Sequence, residues 1–368
     1  MIYHTKELVK KIKLFDPHTG KKEEEIVKKI IKSHFWASGS GNGLVKEFEE
    51  KFKNYVNAKE CVAVSNGTAA LHLALSMLNI KNKEVILPSL TFVSTAHAVV
   101  LNGGKPVFAD VDANSLCIDI KEIESKITKN TKAILPVHFG GFPADLKKIL
   151  KISKDFKIPI VEDAAHATGS KYNGQKIGSH GEFVCFSFHP VKNLAMPSGG
   201  MISINGKKYK EIVKKLHAKR WCGITERVET SYNVKEMGWN YYMNEFSAGI
   251  GLEQLKKLDN MNKTRKEIAK KYDKKLNIEK KIPFNEDCSY HIYWICIKNR
   301  KKFRKKLDNE GIETGIHYKP VHYMDMYKIK SKLKITDNVS SELISIPIHP
   351  NLTEENIEKI IHIINENL

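Results

Sequence analysis

Short apolar runs alternate with helical patterns through the first 205 residues of this chain. The runs have the length of β-strands and are apolar at nearly every position, as are the buried strands of a parallel sheet. The strand candidates are Cys61–Val64, Glu84–Leu87, Pro106–Ala109, Lys132–Val137, Ile158–Glu162, Phe183–Phe188 and Met201–Ile204. The helical candidates are Thr68–Leu78, Thr95–Leu101, Ala144–Ile152 and Tyr209–Lys219. The alternation predicts an α/β fold whose mostly parallel central sheet is covered by helices on both faces.

The last third of the chain has a different pattern. A long helical segment starts near Asn244 and runs toward Tyr272, and it can link two domains. The elements predicted after it are a strand at His291–Ile297, a basic helix near Lys301–Asn309 and a terminal helix from about Glu354 to Asn367, capped by Thr353. We therefore expect a large domain over residues 1–255, with a helical segment at its N-terminus, and a smaller C-terminal α+β domain over residues 256–368.

The net charge of +19 comes mostly from lysine. The lysines are spread along helical patterns, without an arginine-rich tail or a recognisable nucleic-acid motif, which favours solvated helix faces over a nucleic-acid surface. An excess of positive charge would also suit an anionic small-molecule substrate.

The six cysteines form no CxxC pair. We interpret them as buried, free thiols in a reducing compartment, and we expect neither a disulfide framework nor a metal site.

No apolar run approaches the roughly 20 residues that cross a bilayer. The first 16 residues lack the apolar core of a secretory signal. We therefore predict a cytoplasmic protein without a membrane partner.

Two residues stand where predicted strands end. Asp163 follows the run Ile158–Glu162, and Lys192 follows Phe183–Phe188 in a polar turn. Burial beside a strand lowers a lysine's pKa and leaves a neutral amine that can attack a carbonyl. An amine to form a Schiff base and a carboxylate to keep a pyridine nitrogen protonated are what a pyridoxal 5′-phosphate (PLP) site needs. The alternatives are a surface lysine and an aspartate that caps a helix starting at Ala164.

A phosphate cradle is predicted at Ser65–Ala70, where a strand turns into a helix. Gly67 allows close backbone approach, the amides of Thr68 and Ala69 point at an anion, and Ser187 can add a hydroxyl. The glycine-rich stretch Gly39–Gly43 has no strand before it, so we discount it as a nucleotide loop. Phe92 can stack on a pyridine ring, and His166 can reach a cofactor or substrate oxygen. Ordinary roles in the core and on a helix surface are the alternatives for these two.

Together these segments resemble the DegT/DnrJ/EryC1/StrS family of sugar aminotransferases, which are PLP enzymes of fold type I. The resemblance extends over nearly the whole chain through SNGTAALHLAL, LPSLTFVSTAHAVV, VEDAAHATGS, FSFHPVKNL, GWNYYMNEFSAGIGLEQLKKLD and GIHYKPVH. The chain departs from common family patterns at His166, where many relatives have glutamine, at Tyr242, where arginine is frequent, and at Ala195–Gly200.

The resemblance implies a role for each matching residue. Lys192 would be the Schiff-base lysine and Asp163 the partner of the ring nitrogen; His166, three residues after Asp163, is predicted from its position as a further catalytic residue. Phe92 would stack on the ring, and Asn240 would reach the phosphate bound by a neighbouring subunit, so the resemblance implies a homodimer with shared sites. The cofactor phosphate would be bound by Gly67, Thr68, Ala69 and Ser187. Candidates for the substrate entrance are His317, Tyr318 and His322.

The activity implied is transfer of an amino group from glutamate, giving 2-oxoglutarate, to a nucleotide-linked keto sugar. One alternative is a sugar dehydratase of the same family, in which histidine replaces the lysine; Lys192 argues against it. A second is a PLP-binding regulatory protein without catalysis. The third, an NAD-dependent oxidoreductase, depends only on Gly39–Gly43.

Overall fold

A computed structural model describes residues 11–328 and 332–368. Part of the N-terminal stretch considered for a secretory signal, residues 1–10, lies outside this description. The helices are α1 (Lys21–Ser33), α2 (Leu44–Val56), α3 (Gly67–Ser76), α4 (Val93–Leu101), α5 (Ile120–Lys126), α6 (Leu146–Phe156), α7 (Tyr209–Arg220), α8 (Glu245–Lys275), α9 (Arg300–Asn309), α10 (Lys334–Glu342) and α11 (Glu354–Glu366). The strands are β1 (Glu60–Val64), β2 (Glu84–Pro88), β3 (Lys105–Ala109), β4 (Thr131–Ile134), β5 (Val161–Asp163), β6 (Lys171–Tyr172), β7 (Gln175–Lys176), β8 (Phe183–Ser187), β9 (Gly200–Ile204), β10 (Ile224–Val228), β11 (Ser231–Val234), β12 (Tyr293–Cys296) and β13 (Leu343–Ile346).

Seven strands form the central layer in the order β1-β9-β8-β5-β4-β2-β3. Two ladders, β1-β9-β8-β5 and β3-β2-β4, are joined by parallel bridges from Ile134 to Ile160 and from Val137 to Asp163. Strand β9 is antiparallel to both of its neighbours, and the other six strands run in one direction. The predicted α/β class with a mostly parallel sheet is confirmed.

The sheet buries both of its faces. In β1, Val62 and Val64 pack into the cluster beneath α3 and α4, whereas Cys61 and Ala63 pack into the cluster beneath α2 and the start of α8. This alternation follows from the two-residue period of a strand. No helix within the described residues is both long enough and apolar enough to cross a membrane.

Helix α8 connects the sheet to the C-terminal elements. It contacts α1 and α2 as well as α11, and the antiparallel pair β12-β13 lies beyond it in the sequence. Position 255 falls inside this helix, and the division into residues 1–255 and 256–368 stays a prediction. Thr353 caps α11 as expected, because its side chain accepts a hydrogen bond from the Asn356 amide.

One cysteine differs from expectation. Five of the six are buried free thiols, but Cys222 is exposed. It lies between α7 and β10 with a positive φ of 55°, in a turn at the surface rather than in a strand.

Candidate functional site

Asp163 is the last residue of β5, at the carboxyl edge of the sheet, and only 4% of its surface is exposed. Its Oδ2 accepts a hydrogen bond from Thr95 Oγ1 at 2.8 Å, and its Oδ1 accepts one from the Ala165 amide at 3.1 Å. The helix expected to start at Ala164 is absent, and a turn stands in its place. Asp163 therefore caps no helix, and the alternative reading of this carboxylate is wrong.

The ionisation of Asp163 depends on its neighbours. Burial raises the pKa of this carboxyl, while the Ala165 amide, the Thr95 hydroxyl and the charge of Lys192 oppose that rise. Thr95 was not among the predicted site residues. It lies in the first turn of α4, three residues after Phe92, and no local sequence pattern reveals its contact with a strand 68 residues away.

The turn after β8 carries Lys192. The Lys192 amide donates to the His189 carbonyl at 2.8 Å, which closes the turn. The next residue, Asn193, is buried and anchors the turn, because its Nδ2 donates to Asn262 Oδ1 at 2.9 Å and to the Ser289 carbonyl at 2.8 Å. Burial lowers the pKa of the Lys192 ammonium to about 8, against the opposing charge of Asp163. At pH 7 about a tenth of the amine is therefore neutral, far more than for an ordinary lysine.

A buried pair of side chains, His138 and Glu162, lies next to Asp163 at the carboxyl edge of the sheet. His138 Nε2 lies 2.9 Å from Glu162 Oε2, and neither side chain is exposed. The Ala144 amide donates to His138 Nδ1 at 3.1 Å, so Nε2 carries the hydrogen and donates to the carboxylate. The His138 amide also donates to the Asp163 carbonyl at 3.1 Å. Glu162 therefore has a structural role next to Asp163 in β5.

His166 lies in the turn, not on a helix, and both of its ring nitrogens have protein partners. The Gly140 amide donates to Nδ1 at 3.2 Å, and Nε2 lies 3.0 Å from Tyr318 Oη. Burial holds the pKa of His166 well below its usual value, and the charge of Lys192 adds to this effect. The ring is therefore neutral with its hydrogen on Nε2, which donates to Tyr318 and leaves the phenolic hydrogen free to donate elsewhere.

The predicted phosphate turn has the expected position at the start of α3. A Cβ added to Gly67 would lie 2.7 Å from Ser187 Cβ, so only glycine lets the two backbones approach this closely. The Ala69 amide is already occupied, because it donates to the N-cap side chain Asn66 at 2.9 Å. The groups left to receive an anion are the amides of Gly67 and Thr68 and the Ser187 hydroxyl.

Phe92 and Asn240 are both on the surface of the single chain. Phe92 is 55% exposed, and its ring centroid lies 5.8 Å from that of Tyr318, the residue that also contacts His166. Asn240 is exposed beside the Ser65 turn, whose amide donates to the Tyr241 carbonyl at 2.7 Å. Its role in a neighbouring subunit stays a prediction.

The three entrance candidates fall into two groups. Tyr318 contacts His166, and His317 is near enough to Lys192 for the lysine's charge to act with burial in lowering the pKa of His317 to about 4. His322 is 2% exposed, with Nδ1 2.6 Å from Ser89 Oγ and Nε2 3.0 Å from Asp337 Oδ1. We therefore propose a structural role for His322 rather than a substrate contact.

This role makes a testable prediction. His322→Ala removes the imidazole's bonds to buried Ser89 and half-buried Asp337, and we expect the free energy of unfolding to fall by about 1–3 kcal/mol. Urea denaturation measures this change, with His362→Ala as the control because the His362 side chain is 67% exposed. Unchanged stability together with a raised KM for the sugar substrate would contradict the assignment.

The loop Gly39–Gly43 has no free helix terminus for a nucleotide. It leads into α2, whose Leu44 amide donates to the Glu245 carboxylate at 2.8 Å. A protein carboxylate thus occupies the position that a phosphate would take. This contact disfavours the NAD-dependent alternative.

The fold and the site together define the class of the protein. The lysine and the carboxylate lie beyond the carboxyl ends of β8 and β5, where open α/β sheets bind ligands. The close approach of Gly67 to Ser187 forms a backbone cradle suited to a phosphate. These residues fit PLP, and the protein is a PLP-dependent enzyme of fold type I.

Comparison with known proteins identifies the family. A model of the DegT/DnrJ/EryC1/StrS aminotransferase family matches residues 17–365, and the chain belongs to this family. The GDP-perosamine synthase of Escherichia coli O157:H7 is 35% identical over 366 residues, covering 97% of this chain and 99% of that protein.

Solved structures agree with the family match. PseC of Helicobacter pylori, an aminotransferase involved in the biosynthesis of pseudoaminic acid, superposes with a TM-score of 0.90 at 26% identity, covering 97% of this chain and 99% of that one. The sugar aminotransferase Spr1654 from Streptococcus pneumoniae, in its PLP form, also gives 0.90 at 26% identity, covering 97% and 98%. The chain is a PLP-dependent sugar aminotransferase.

Proposed function

We propose that this protein transfers the amino group of L-glutamate to a nucleotide-linked keto sugar, in the cytoplasm, for glycan or polysaccharide biosynthesis. The observation that carries the proposal is the partly buried Lys192 amine, whose pKa is lowered to about 8 beside Asp163 at the carboxyl edge of the sheet. The similarity to GDP-perosamine synthase supports a nucleotide-linked sugar. A net charge of +19 suits an anionic substrate.

The chain's own groups would divide the work between binding and proton transfer. When bound, PLP supplies an aldehyde that exchanges amino groups and a ring that withdraws electrons. Lys192 is the residue that would hold it covalently. The Lys192 amine also takes the proton from the α-carbon of the amino donor and gives a proton to the sugar carbon that gains nitrogen. Ionised Asp163 would stabilise positive charge on the ring nitrogen.

The remaining residues would bind and orient. The amides of Gly67 and Thr68 and the Ser187 hydroxyl would donate to the phosphate, and Phe92 would cover one face of the ring. Tyr318 is placed by His166 with its hydroxyl hydrogen free, and with His317 it would contact the substrate at the entrance.

We also propose a homodimer in which Asn240 completes the phosphate site of the neighbouring subunit. The hairpin β10-β11, near Asn240 in the sequence, exposes 71% of Val228, 57% of Tyr232 and 50% of Val234, an apolar surface suited to a subunit interface.

Shared sites predict complementation between two inactive variants. Lys192→Ala and Asn240→Asp proteins, unfolded together and refolded as an equal mixture, form hybrid dimers with one intact site. We expect about a quarter of the wild-type specific activity, since half of the dimers are hybrids and each has one working site of two. Each variant refolded alone is the control, and a mixture no more active than the two controls would contradict the shared site.

The direct test of the proposed function is its first half-reaction. Protein saturated with PLP is mixed with L-glutamate in single turnover, and we expect conversion of the bound cofactor to the pyridoxamine form with one 2-oxoglutarate released per site. A panel of nucleotide-linked 3-keto and 4-keto sugars then identifies the acceptor by mass. No conversion with any amino acid would overturn the transaminase proposal and favour a regulatory PLP-binding protein.

A further inference from the structure

His291 is a buried histidine that meets the Lys192 amine from the C-terminal part of the chain. It lies two residues before β12, and its Nε2 is 3.4 Å from Lys192 Nζ. The residue is only 3% exposed. Within the described ranges, His291 is the one side chain within hydrogen-bond distance of this amine. None of the roles assigned above uses it.

Two aromatic neighbours fix the direction of this imidazole. Phe15 stacks on it with ring centroids 5.3 Å apart and an interplanar angle of 20°. The His166 ring lies 4.5 Å away, centroid to centroid. Packing against these two rings restricts rotation of the buried imidazole and favours the rotamer that directs Nε2 at Lys192.

The protonation state follows from the surroundings. Burial holds the pKa of His291 well below its usual value, and the charges of Lys192, His166, His317 and Arg265 act in the same direction. Arg265, on α8, is 6% exposed and adds a permanent positive charge nearby. The ring is therefore neutral. Because a lysine ammonium donates but cannot accept, the contact runs from Lys192 N–H to Nε2, and Nδ1 carries the ring hydrogen.

Other charged and titratable groups also face the amine. Asp163 faces it from β5, His166 from the turn after β5, His189 from its own turn and His317 from the C-terminal part. Asp163 is the acid among them, and it is the group that would pair with the cofactor ring. His291 is therefore an uncharged acceptor for the lysine in addition to the Asp163 charge.

We propose that His291 is a positioning residue whose Nε2 accepts a hydrogen bond from the Lys192 amine and holds that amine ready for proton transfer when it is not covalently bound. The inference rests on the proposed function of Lys192. His291 itself takes up no proton and touches no reacting carbon. It restricts the rotamers of a long, flexible side chain, and such orientation is a recognised source of rate.

The test compares His291→Phe, which keeps an aromatic ring but removes the acceptor, with His291→Gln, whose amide oxygen restores an acceptor near the position of Nε2. His291→Asn, which is polar but too short to reach Nζ, serves if the Phe variant does not fold. The control is His349→Gln, because His349 is a second buried histidine in the same cavity and its Nε2 bonds to the Lys13 carbonyl.

Two readouts are measured. The first is the pH dependence of Lys192 modification by an amine reagent in apoprotein. We expect a midpoint near 8 for wild type, and a midpoint lowered by at least about half a unit in His291→Phe, since an acceptor favours the charged form of its donor. The second is the single-turnover rate with α-deuterated glutamate, where we expect a roughly tenfold slower proton transfer at unchanged cofactor affinity.

The Gln variant and the His349 control should behave like wild type in both readouts. An unchanged midpoint and an unchanged transfer rate in the Phe or Asn variant would overturn the role of His291. A wild-type protein that shows no cofactor attached at Lys192 would instead overturn the proposed function, so the two failures are distinguishable.

Discussion

Lys192→Ala protein will retain no PLP after borohydride reduction and denaturation, and its amino-transfer rate will fall by at least about 10³-fold. The physical reason is that one amine supplies both the covalent anchor and the proton acceptor. The Lys192 amine is also the one whose pKa is lowered to about 8 by burial at this site. Absorbance after gel filtration and intact mass after reduction measure the first effect, and steady-state assays measure the second.

A matched lysine serves as the control. Lys176 is partly buried and bonds to Asp259 on α8, at a position with no contact to the sheet edge that carries Lys192. Lys176→Ala should keep the cofactor and most of the activity. A Lys192→Ala protein that transaminates at the native rate would contradict the assignment.

Asp163→Asn protein will bind PLP through Lys192 but transfer amino groups about 10²- to 10⁴-fold more slowly. Removing one partner of a buried charge pair costs about 3–5 kcal/mol. Here we expect this cost to raise the activation free energy of the step that needs a protonated ring nitrogen. The amide can still bond with Thr95 and Ala165, so the local fold should persist. Single-turnover absorbance after mixing with glutamate measures the loss.

The control for this change is Asp145→Asn. Asp145 is also an aspartate near the sheet edge, but it caps α6 and bonds to Tyr172. That variant should lose some stability and little activity. If the Asp163→Asn and Asp145→Asn proteins turned over at equal rates, the proposed stabilisation of the ring nitrogen by Asp163 would be contradicted.

The acid limb of the activity profile follows from the same residue. Burial raises the pKa of the Asp163 carboxyl above that of an ordinary aspartate. The activity requires the ionised carboxylate, so it is present above this pKa. We therefore expect activity to be lost on acidification at a higher pH than an ordinary aspartate would give.

Local sequence patterns were sufficient to predict the α/β fold class and the positions of the main strands and helices of the central sheet. The apolar runs and helical periods placed most of the predicted elements within about two residues of their observed bounds, because these elements bury continuous or regularly spaced apolar side chains. Strand β5 starts later than predicted, at Val161. Pro159 lies in the predicted run and has no N–H to contribute to a ladder. The direction of β9 follows from its connection, since the segment between Phe188 and Gly200 contains no helix for a parallel crossover.

The parts that sequence reasoning missed depend on contacts between distant residues. The helix considered at Ala164 as an alternative is absent, and the Asp163 side chain instead bonds to the Ala165 amide within a turn. Neither Thr95 nor His291 has a neighbour in the sequence that reveals what it touches. The structural role proposed for His322 likewise depends on Ser89 and Asp337, which only the folded chain brings to it.

Peptide mapping of the wild-type protein shows whether Lys192 is the residue that holds the cofactor. Protein saturated with PLP is reduced with borohydride, digested and analysed by mass spectrometry. We expect a single stoichiometric pyridoxyl modification on the peptide that contains Lys192. Modification at another lysine, or an unmodified Lys192 in saturated protein, would contradict it.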